Sequence, residues 1–159
     1  MLNPEVIMSN NLNVDSLLSE AIEKTKLEDF GNDSFLEGLK IFLNSCHDEA
    51  RLNDIGIQIA HSIISRCLMN RLQVQDCITR HPEILNEKIE KPLIITGLPR
   101  TGSTFLQTLL SIDPANRALH HWEANRPCPP PELVISATDP RIQAMHKQIQ
   151  LTDQLEPGL

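Results

Sequence analysis

Apolar positions recur every three or four residues through most of the first 90 residues, as they do on one face of an α-helix. A first helix is predicted after Asn13 or Asp15, because both are residue types that cap helix N-termini. A second helix is predicted after Ser34, since Ser34 and Glu37 have the spacing of a capping box. The two apolar stripes comprise Leu17, Leu18, Ala21 and Ile22, then Phe35, Leu39, Phe42, Leu43 and Cys46.

A longer third helix is predicted from about Asn53 to about Thr79. Its 3.6-residue period places six apolar residues on one face: Ile55, Ile59, Ile63, Ile64, Cys67 and Leu68. Ile57 and Ala60 widen that face, so we expect this helix to be largely buried. The pattern therefore predicts that residues 1–90 form a helical N-terminal segment, either a layer or a lid.

The pattern changes at Lys91. Residues 92–96, Pro-Leu-Ile-Ile-Thr, are a short apolar run between a proline and a glycine, which is typical of a strand buried on both faces of a parallel sheet. Helical spacing returns over residues 103–112, and a second short strand or an extended loop is predicted at 118–122. A last helix is predicted from Asp139 onwards, because a proline follows it at the first helical position.

These elements predict an α/β fold that starts near residue 91. A parallel sheet needs several strands, whereas residues 91–159 contain one convincing strand and one doubtful one. We therefore expect residues 91–159 to be the start of a truncated α/β domain.

The turn from Gly97 to Thr104 joins the predicted strand to the next helix. A strand, a glycine-rich turn and a helix in this order direct backbone N–H groups and the positive helix end at an anion. Gly97 and Gly102 have the spacing of the Walker A glycines, but Ser103 stands where that loop needs lysine. Hydrolysis of ATP or GTP is therefore disfavoured. A single phosphate-like group, held by amides, hydroxyls and the Arg100 guanidinium, fits better, and a turn without a ligand is the alternative.

Residues 99–106, Pro-Arg-Thr-Gly-Ser-Thr-Phe-Leu, resemble the 5′-phosphosulfate loop of the sulfotransferase superfamily, especially its bacterial-type branch. Residues 29–33, 81–85, 122–127 and 139–141 also resemble that branch. The resemblance implies a fold like that of the P-loop nucleotide kinases. It also implies in-line transfer of a sulfuryl group from 3′-phosphoadenosine 5′-phosphosulfate to a hydroxyl or an amine.

The same resemblance implies roles for individual residues. Arg100 would hold the donor's 5′-phosphate and bridging oxygen and so contribute to catalysis, and the other donor-binding residues would be Thr101, Gly102, Ser103 and Thr104. A general base must also take the acceptor's proton. Glu123 stands where some sulfotransferases have a catalytic glutamate, while others use a histidine, so His120 and His121 compete with it. The alternative for Glu123 is a solvated or salt-bridged carboxylate near Arg126.

Composition narrows the possible partners. The formal net charge is −7, with 14 basic and 21 acidic residues, which disfavours a nucleic-acid surface and leaves a small-molecule acceptor as the expected partner. The four cysteines, Cys46, Cys67, Cys77 and Cys128, form no CxxC pair and no metal-like spacing with histidine, so we expect reduced thiols and no metal. No signal peptide and no membrane-length apolar run is visible, which predicts a cytoplasmic protein.

Three functions are compatible with the sequence. The favoured one is a sulfotransferase in an incomplete copy, inactive as these 159 residues alone, because the family binds the donor's 3′-phosphate further along the chain. The others are a different phosphoryl-binding enzyme, such as a kinase, and a non-catalytic helical interaction protein with a vestigial phosphate loop. The acceptor and the oligomeric state stay open.

Overall fold

The computed structural model describes residues 12–98, 100–130 and 139–155. The helices in these ranges are α1 (Val14–Thr25), α2 (Phe35–Asp48), α3 (Asp54–Arg80), a 3-10 helix (Pro82–Asn86), α4 (Ser103–Leu110), α5 (His121–Asn125) and α6 (Pro140–Leu155). The chain divides into two compact units, residues 1–84 and 85–159. Within the described ranges, no helix is both long enough and apolar enough to cross a bilayer.

The first unit is helical, and its main contact is the packing of α1 against α3. Its core consists of Leu17, Ala21, Leu43, Ile64, Leu68 and Leu72. The predicted helix starts at Asn13 and Asn53 are confirmed. The Asn13 carboxamide oxygen accepts the Ser16 N–H at 2.7 Å, and that of Asn53 accepts the Gly56 N–H at 2.8 Å. Each bond satisfies a donor that would otherwise lack an intrahelical acceptor.

The capping box predicted at Ser34 and Glu37 was wrong. Ser34 already has helical backbone angles, φ −57° and ψ −22°, and its side chain makes no capping bond. A residue that caps through its side chain usually has an extended backbone, which turns the hydroxyl toward the free N–H groups. Here the Asn32 side chain accepts the Ser34 N–H at 2.7 Å instead.

The buried face of α3 differs from the predicted one. Ile64 and Leu68 are buried as predicted, but Ile55, Ile59 and Ile63 are 65%, 52% and 44% exposed. The buried positions of α3 are Ile57, Ala60, Ile64, Ser65, Leu68, Leu72 and Cys77. Isoleucines occur on more than one side of this helix, so periodicity alone does not choose the buried side. The position of α1 decides it.

One arginine holds the turn between α1 and α2. The Arg71 side chain on α3 donates from Nε to the Phe30 carbonyl at 2.7 Å and from Nη2 to the Asn32 carbonyl. Its guanidinium also lies 4.3 Å from the centre of the Phe35 ring. Gly31, between the two carbonyls, has φ +69°, a backbone conformation that glycine adopts readily and other residues rarely do.

The second unit contains the segment that was predicted to be a buried strand. Residues 92–97 are neither helix nor strand, and the described residues include no strand at all. Leu93 and Ile94 are 70% and 75% exposed. A strand exists only when its N–H and C=O groups pair with a neighbour, and no described residue pairs with this segment. The parallel sheet is therefore not confirmed, and the described fold is helical.

The remaining elements of the second unit follow the sequence more closely. Helices were predicted at residues 103–112 and from Asp139 onwards, and α4 and α6 confirm them. A short strand or an extended loop was predicted at 118–122. The strand was wrong, because an extended segment reaches His120 and α5 begins at His121. Helices α5 and α6 contact each other.

Candidate functional site

The predicted phosphate loop runs from Gly97 into the first turn of α4, and Pro99 lies outside the described residues. Arg100 and Gly102 both have left-handed backbone conformations, with φ +64° and +83°. Gly102 is the N-cap of α4, and the Leu106 N–H donates to its carbonyl at 3.0 Å. The N–H groups of residues 103–105 therefore precede the first intrahelical bond of α4. They point out of the helix start, where its dipole favours negative charge.

A hydroxyl closes the turn from the inside. The Thr101 Oγ1 donates to the Leu98 carbonyl at 2.7 Å. A Cβ placed on Gly97 would lie only 2.8 Å from that Oγ1, which is closer than real contacts allow. Because Gly97 has no side chain, the Thr101 hydroxyl can occupy this position. The structure uses the Thr101 hydroxyl to shape the loop.

The groups that could meet an anion lie on the outer side of the loop. Arg100 and Thr104 are exposed, and Ser103 is half-buried. A non-glycine residue with positive φ is uncommon and is often found at functional sites. The loop therefore combines an accessible guanidinium, two accessible hydroxyls and free helical N–H groups within five residues.

An open cleft of about 790 Å³ lies beside α4 within the second unit. Ser103 and Thr104 line it, as do Gln107 and residues 89–95 and 115–119. The Gln107 side chain donates to the Leu119 carbonyl at 3.2 Å, which ties α4 to the segment that precedes α5. The hydroxyl side of the loop thus faces an open space of ligand size.

Glu123 is buried rather than open to solvent. Its side chain is 3% exposed, and its Oε1 accepts from the Arg117 Nη2 at 2.8 Å. Its Oε2 accepts from the His120 N–H at 2.7 Å, which caps the start of α5. The carboxylate is therefore salt-bridged, with Arg117 rather than with Arg126 as its partner.

The two histidines that compete with Glu123 are both exposed. The His120 ring lies nearly parallel to the Trp122 ring, with 6.3 Å between their centres. The His121 Nε2 lies 3.2 Å from the Asn125 Nδ2. Helix α5 and its N-cap thus carry all three candidate bases, whereas Arg100 to Thr104 form a separate turn.

Arg141 and Asp139 form a pair that was not predicted from the sequence. The Arg141 Nε and Nη2 donate to the Asp139 carboxylate at 2.7–3.1 Å. The hydrogen bond raises the pKa of Arg141 and holds the pKa of Asp139 below its usual range. The Arg141 guanidinium also lies 4.6 Å from the centre of the Trp122 ring. Residues 139–141 indicated a helix start and a family resemblance, and no local pattern connects Arg141 to Trp122.

Two solved structures match the chain closely. One is the sulfotransferase STF1 from Mycobacterium tuberculosis H37Rv, with 31% identity and a TM-score of 0.80. The other is the sulfotransferase STF9 from Mycobacterium avium, with 33% identity and a TM-score of 0.79. Each match covers 94% of this chain. It covers 41% of the STF1 chain and 38% of the STF9 chain. The chain has a sulfotransferase-like fold.

This sulfotransferase-like chain spans about two-fifths of the length of each solved structure. The resemblance of residues 99–106 to the sulfotransferases is thus confirmed at the level of the fold. No protein-family model matches the chain, and neither does any curated protein. Within the described ranges of this sulfotransferase-like chain, no group of three or more His, Cys, Asp or Glu side chains is arranged to hold a metal ion.

Proposed function

We propose that residues 97–104 are the donor-binding loop of a sulfotransferase that uses 3′-phosphoadenosine 5′-phosphosulfate. The reaction would transfer the sulfuryl group to a hydroxyl or an amine of a small-molecule acceptor. One observation carries the proposal. In a chain with a sulfotransferase-like fold, the left-handed residues Arg100 and Gly102 turn the backbone into the N-terminus of α4.

The residues of the loop fit the 5′ end of such a donor. The first N–H groups of α4 and the hydroxyls of Ser103 and Thr104 are hydrogen-bond donors, and Arg100 adds an exposed positive charge. Gly97 and Gly102 keep the backbone free of side chains where a ligand would approach. Ser103 in place of the Walker A lysine favours this donor over a nucleoside triphosphate, and so counts against a kinase.

When bound, the donor supplies an activated sulfuryl group, whose S–O bond to the 5′-phosphate breaks as the acceptor attacks in line. Arg100 and the N–H groups of α4 would then stabilise the negative charge that develops on the leaving phosphate. Because these groups are held by the turn and the helix, they need little rearrangement as the charge develops. The loop thus contributes both binding and catalysis.

We propose that Glu123 is the general base that takes the acceptor's proton, with His121 as the alternative. A carboxylate offers about four acceptor positions, and the Glu123 oxygens accept hydrogen bonds from Arg117 and from the His120 N–H. The fold therefore sets the orientation of the Glu123 carboxylate, and its oxygens keep acceptor positions that can take a proton. His121 is more exposed but is held only near Asn125.

We also propose that sulfuryl transfer requires more than these 159 residues. The chain spans about two-fifths of each matching sulfotransferase, and the donor's 3′-phosphate needs its own basic and hydroxyl groups. We therefore expect turnover only from a longer chain that supplies those groups. The competing hypothesis, a non-catalytic helical protein with a vestigial loop, predicts no donor binding under any condition.

The test is binding of adenosine 3′,5′-bisphosphate to the protein by calorimetry. Arg100→Ala should weaken that binding by about 1.5–3 kcal/mol, because it removes a charge-assisted hydrogen bond. Arg51→Ala is the matched control, since Arg51 is also exposed and also has a positive φ, +46°, but belongs to the first unit. Equal affinity in the Arg100 and Arg51 variants would remove Arg100 from the site.

A further inference from the structure

Arg141 connects three separate stretches of the second unit through one partly buried side chain. Its Nε and Nη2 donate to the carboxylate of Asp139, at the start of α6. Its Nη1 donates to the backbone carbonyls of Arg126 and Pro129, in the proline-rich segment that follows α5. All three nitrogens of the guanidinium are thus engaged, and the side chain is only 11% exposed.

The guanidinium also lies over an aromatic ring on α5. The centre of the Trp122 ring is 4.6 Å from the Arg141 Cζ, within the range of a cation–π contact. Trp122 is buried, so this contact is shielded from water and is stronger than a comparable surface pair. A planar, always charged side chain can stack on a ring and donate in its own plane at the same time.

Helix α5 depends on such contacts for its orientation. It has five residues, His121–Asn125, and a helix of this length is not stable by itself in water. Its buried residues are Trp122 and Glu123, which are neighbours in the chain. Fixing the Trp122 ring therefore fixes the rotation of the helix that carries Glu123.

The charges agree with this arrangement. Hydrogen bonding to Asp139 raises the pKa of Arg141, and the charge of Glu123 acts in the same direction. Arg117 binds Glu123 from an exposed position, and the His120 N–H binds it from the N-cap. Glu123 is thus held directly by Arg117 and the backbone, and indirectly through its neighbour Trp122.

We propose that Arg141 is a positioning residue that clamps Asp139, the 126–129 backbone and the Trp122 ring together, and so holds the Glu123 carboxylate in one orientation. The catalytic part of this inference rests on the proposed function, in which Glu123 takes the acceptor's proton. The geometric part, that Arg141 fixes the orientation of α5, does not depend on the function of the chain.

Arg141→Lys separates positioning from simple charge pairing. Lysine keeps the positive charge and can still pair with Asp139, but it lacks the planar fork needed to bind the two carbonyls and stack on the ring. Trp122 is the only tryptophan of the chain, and there is no tyrosine. Tryptophan emission from the whole protein therefore reports on this cluster alone.

In Arg141→Lys, we expect a red shift of the Trp122 emission and about a twofold increase in its quenching by acrylamide, because the ring loses its cover. The His120 N–H, which donates to Glu123, should exchange with solvent about tenfold faster. Helical circular dichroism should be unchanged. In an active form, kcat should fall about tenfold while the KM for the donor stays the same.

Arg71→Lys is the matched control, because Arg71 also stacks on an aromatic ring and binds two carbonyls, but in the first unit. It should leave the Trp122 emission unchanged, and an equal shift there would overturn the assignment. Unchanged emission and exchange in Arg141→Lys would overturn the clamp. If that variant loses its helical signal, Asp139→Asn, which keeps the shape of the anchor, should show the same changes at smaller size, and no change would again overturn it.

The proposed function and the clamp can fail separately. If the unaltered protein does not bind the bisphosphate, the proposed function fails, and emission and exchange still decide the clamp. If Arg141→Lys shifts the emission but keeps kcat, the clamp exists and its role in placing Glu123 for catalysis is refuted.

Discussion

Among the described residues, backbone conformation separates the glycines into different classes. Gly31 and Gly102 have positive φ, whereas Gly38 lies within α2 with open space around it. Gly97 is constrained differently, by the nearby Thr101 hydroxyl. Of these four glycines, three therefore serve turn geometry, and Gly38 is a weak point of a helix.

Exchanging Gly31 and Gly38 for alanine should have opposite effects on the first unit. Gly31→Ala should lower the free energy of unfolding by about 1–2 kcal/mol, because alanine is strained at φ +69° and its Cβ would approach the Gln75 side chain. Gly38→Ala should raise it by about 0.5–1 kcal/mol, since alanine is the better helix former. Urea unfolding followed by circular dichroism measures both. Destabilisation by Gly38→Ala would show that its surroundings are more crowded than described.

Glu123 has two roles that one substitution separates. Glu123→Gln keeps an oxygen that can accept the His120 N–H, so α5 should persist, but it removes the proton acceptor and the charge that binds Arg117. In an active form of the protein, if the proposed function holds, we expect turnover to fall about 10²–10⁴-fold with donor affinity little changed.

His121→Gln is the companion variant for that measurement, because it alters the alternative base on the same helix. It should keep near-normal turnover. If the histidine variant is the inactive one and the glutamate variant is not, the proton belongs to His121 and Glu123 serves only the structure of α5.

Among the helices, two arginines use the same arrangement in different units. Arg71 stacks on Phe35 and binds the carbonyls of the turn before α2, and Arg141 stacks on Trp122 and binds the carbonyls after α5. In both cases one guanidinium replaces the regular backbone pairing that an irregular segment lacks. Short loops are thereby held in place without a sheet.

Helices α1 and α3 are joined by a polar cluster around Glu20. Its carboxylate binds the Lys24 Nζ, the Ser65 hydroxyl at 3.1 Å and the His61 Nε2 at 2.8 Å. Burial by itself would raise the pKa of Glu20, but the hydrogen bond from Lys24, the charge of His61 and the bond from Ser65 together lower it. The folded protein therefore favours the ionised carboxylate.

This cluster predicts a loss of stability in acid. Because the folded pKa of Glu20 lies below its unfolded value of about 4.5, the contribution is complete above that value and disappears as pH falls through the folded pKa. Glu20→Gln should lower the free energy of unfolding by about 0.5–1.5 kcal/mol at pH 7 and by less at pH 3. Glu23→Gln, an exposed change on the same helix, should have little effect at either pH. A difference for Glu20→Gln that stays constant from pH 7 to pH 3 would contradict the prediction.

For the chain as a whole, the exposed apolar side chains are the feature with the clearest consequence. In the second unit, Leu93 and Ile94 are 70% and 75% exposed, and both line the cleft beside α4. Leaving such surface in water forgoes about 25 cal/mol for each Å² that could be buried. Exposed apolar side chains that line one cleft favour association with other apolar surfaces.

The purified 159-residue chain should therefore show helical circular dichroism and bind a hydrophobic dye, with no sulfuryl transfer. Leu93→Ser combined with Ile94→Ser should lower the dye fluorescence by about half, because both residues line the cleft beside α4. Phe105→Ser is the control, since Phe105 is equally exposed but does not line the cleft. A chain that binds no dye, melts cooperatively as a monomer and transfers sulfuryl groups would refute the incomplete-copy hypothesis.

Local information in the sequence determined the helices and the loop. Asn13 and Asn53 predicted two helix starts because a cap acts over three residues. Residues 99–106 indicated the sulfotransferase-like fold because they resemble a loop of that family. Only the tertiary structure decided which side of α3 is buried, because Ile55 and Ile57 are equally apolar and only Ile57 is buried. It alone placed Arg141 against Trp122, since residues nineteen positions apart share no local pattern. A strand at 92–96 likewise depends on a partner, so its hydrophobic run could predict the tendency but not the pairing.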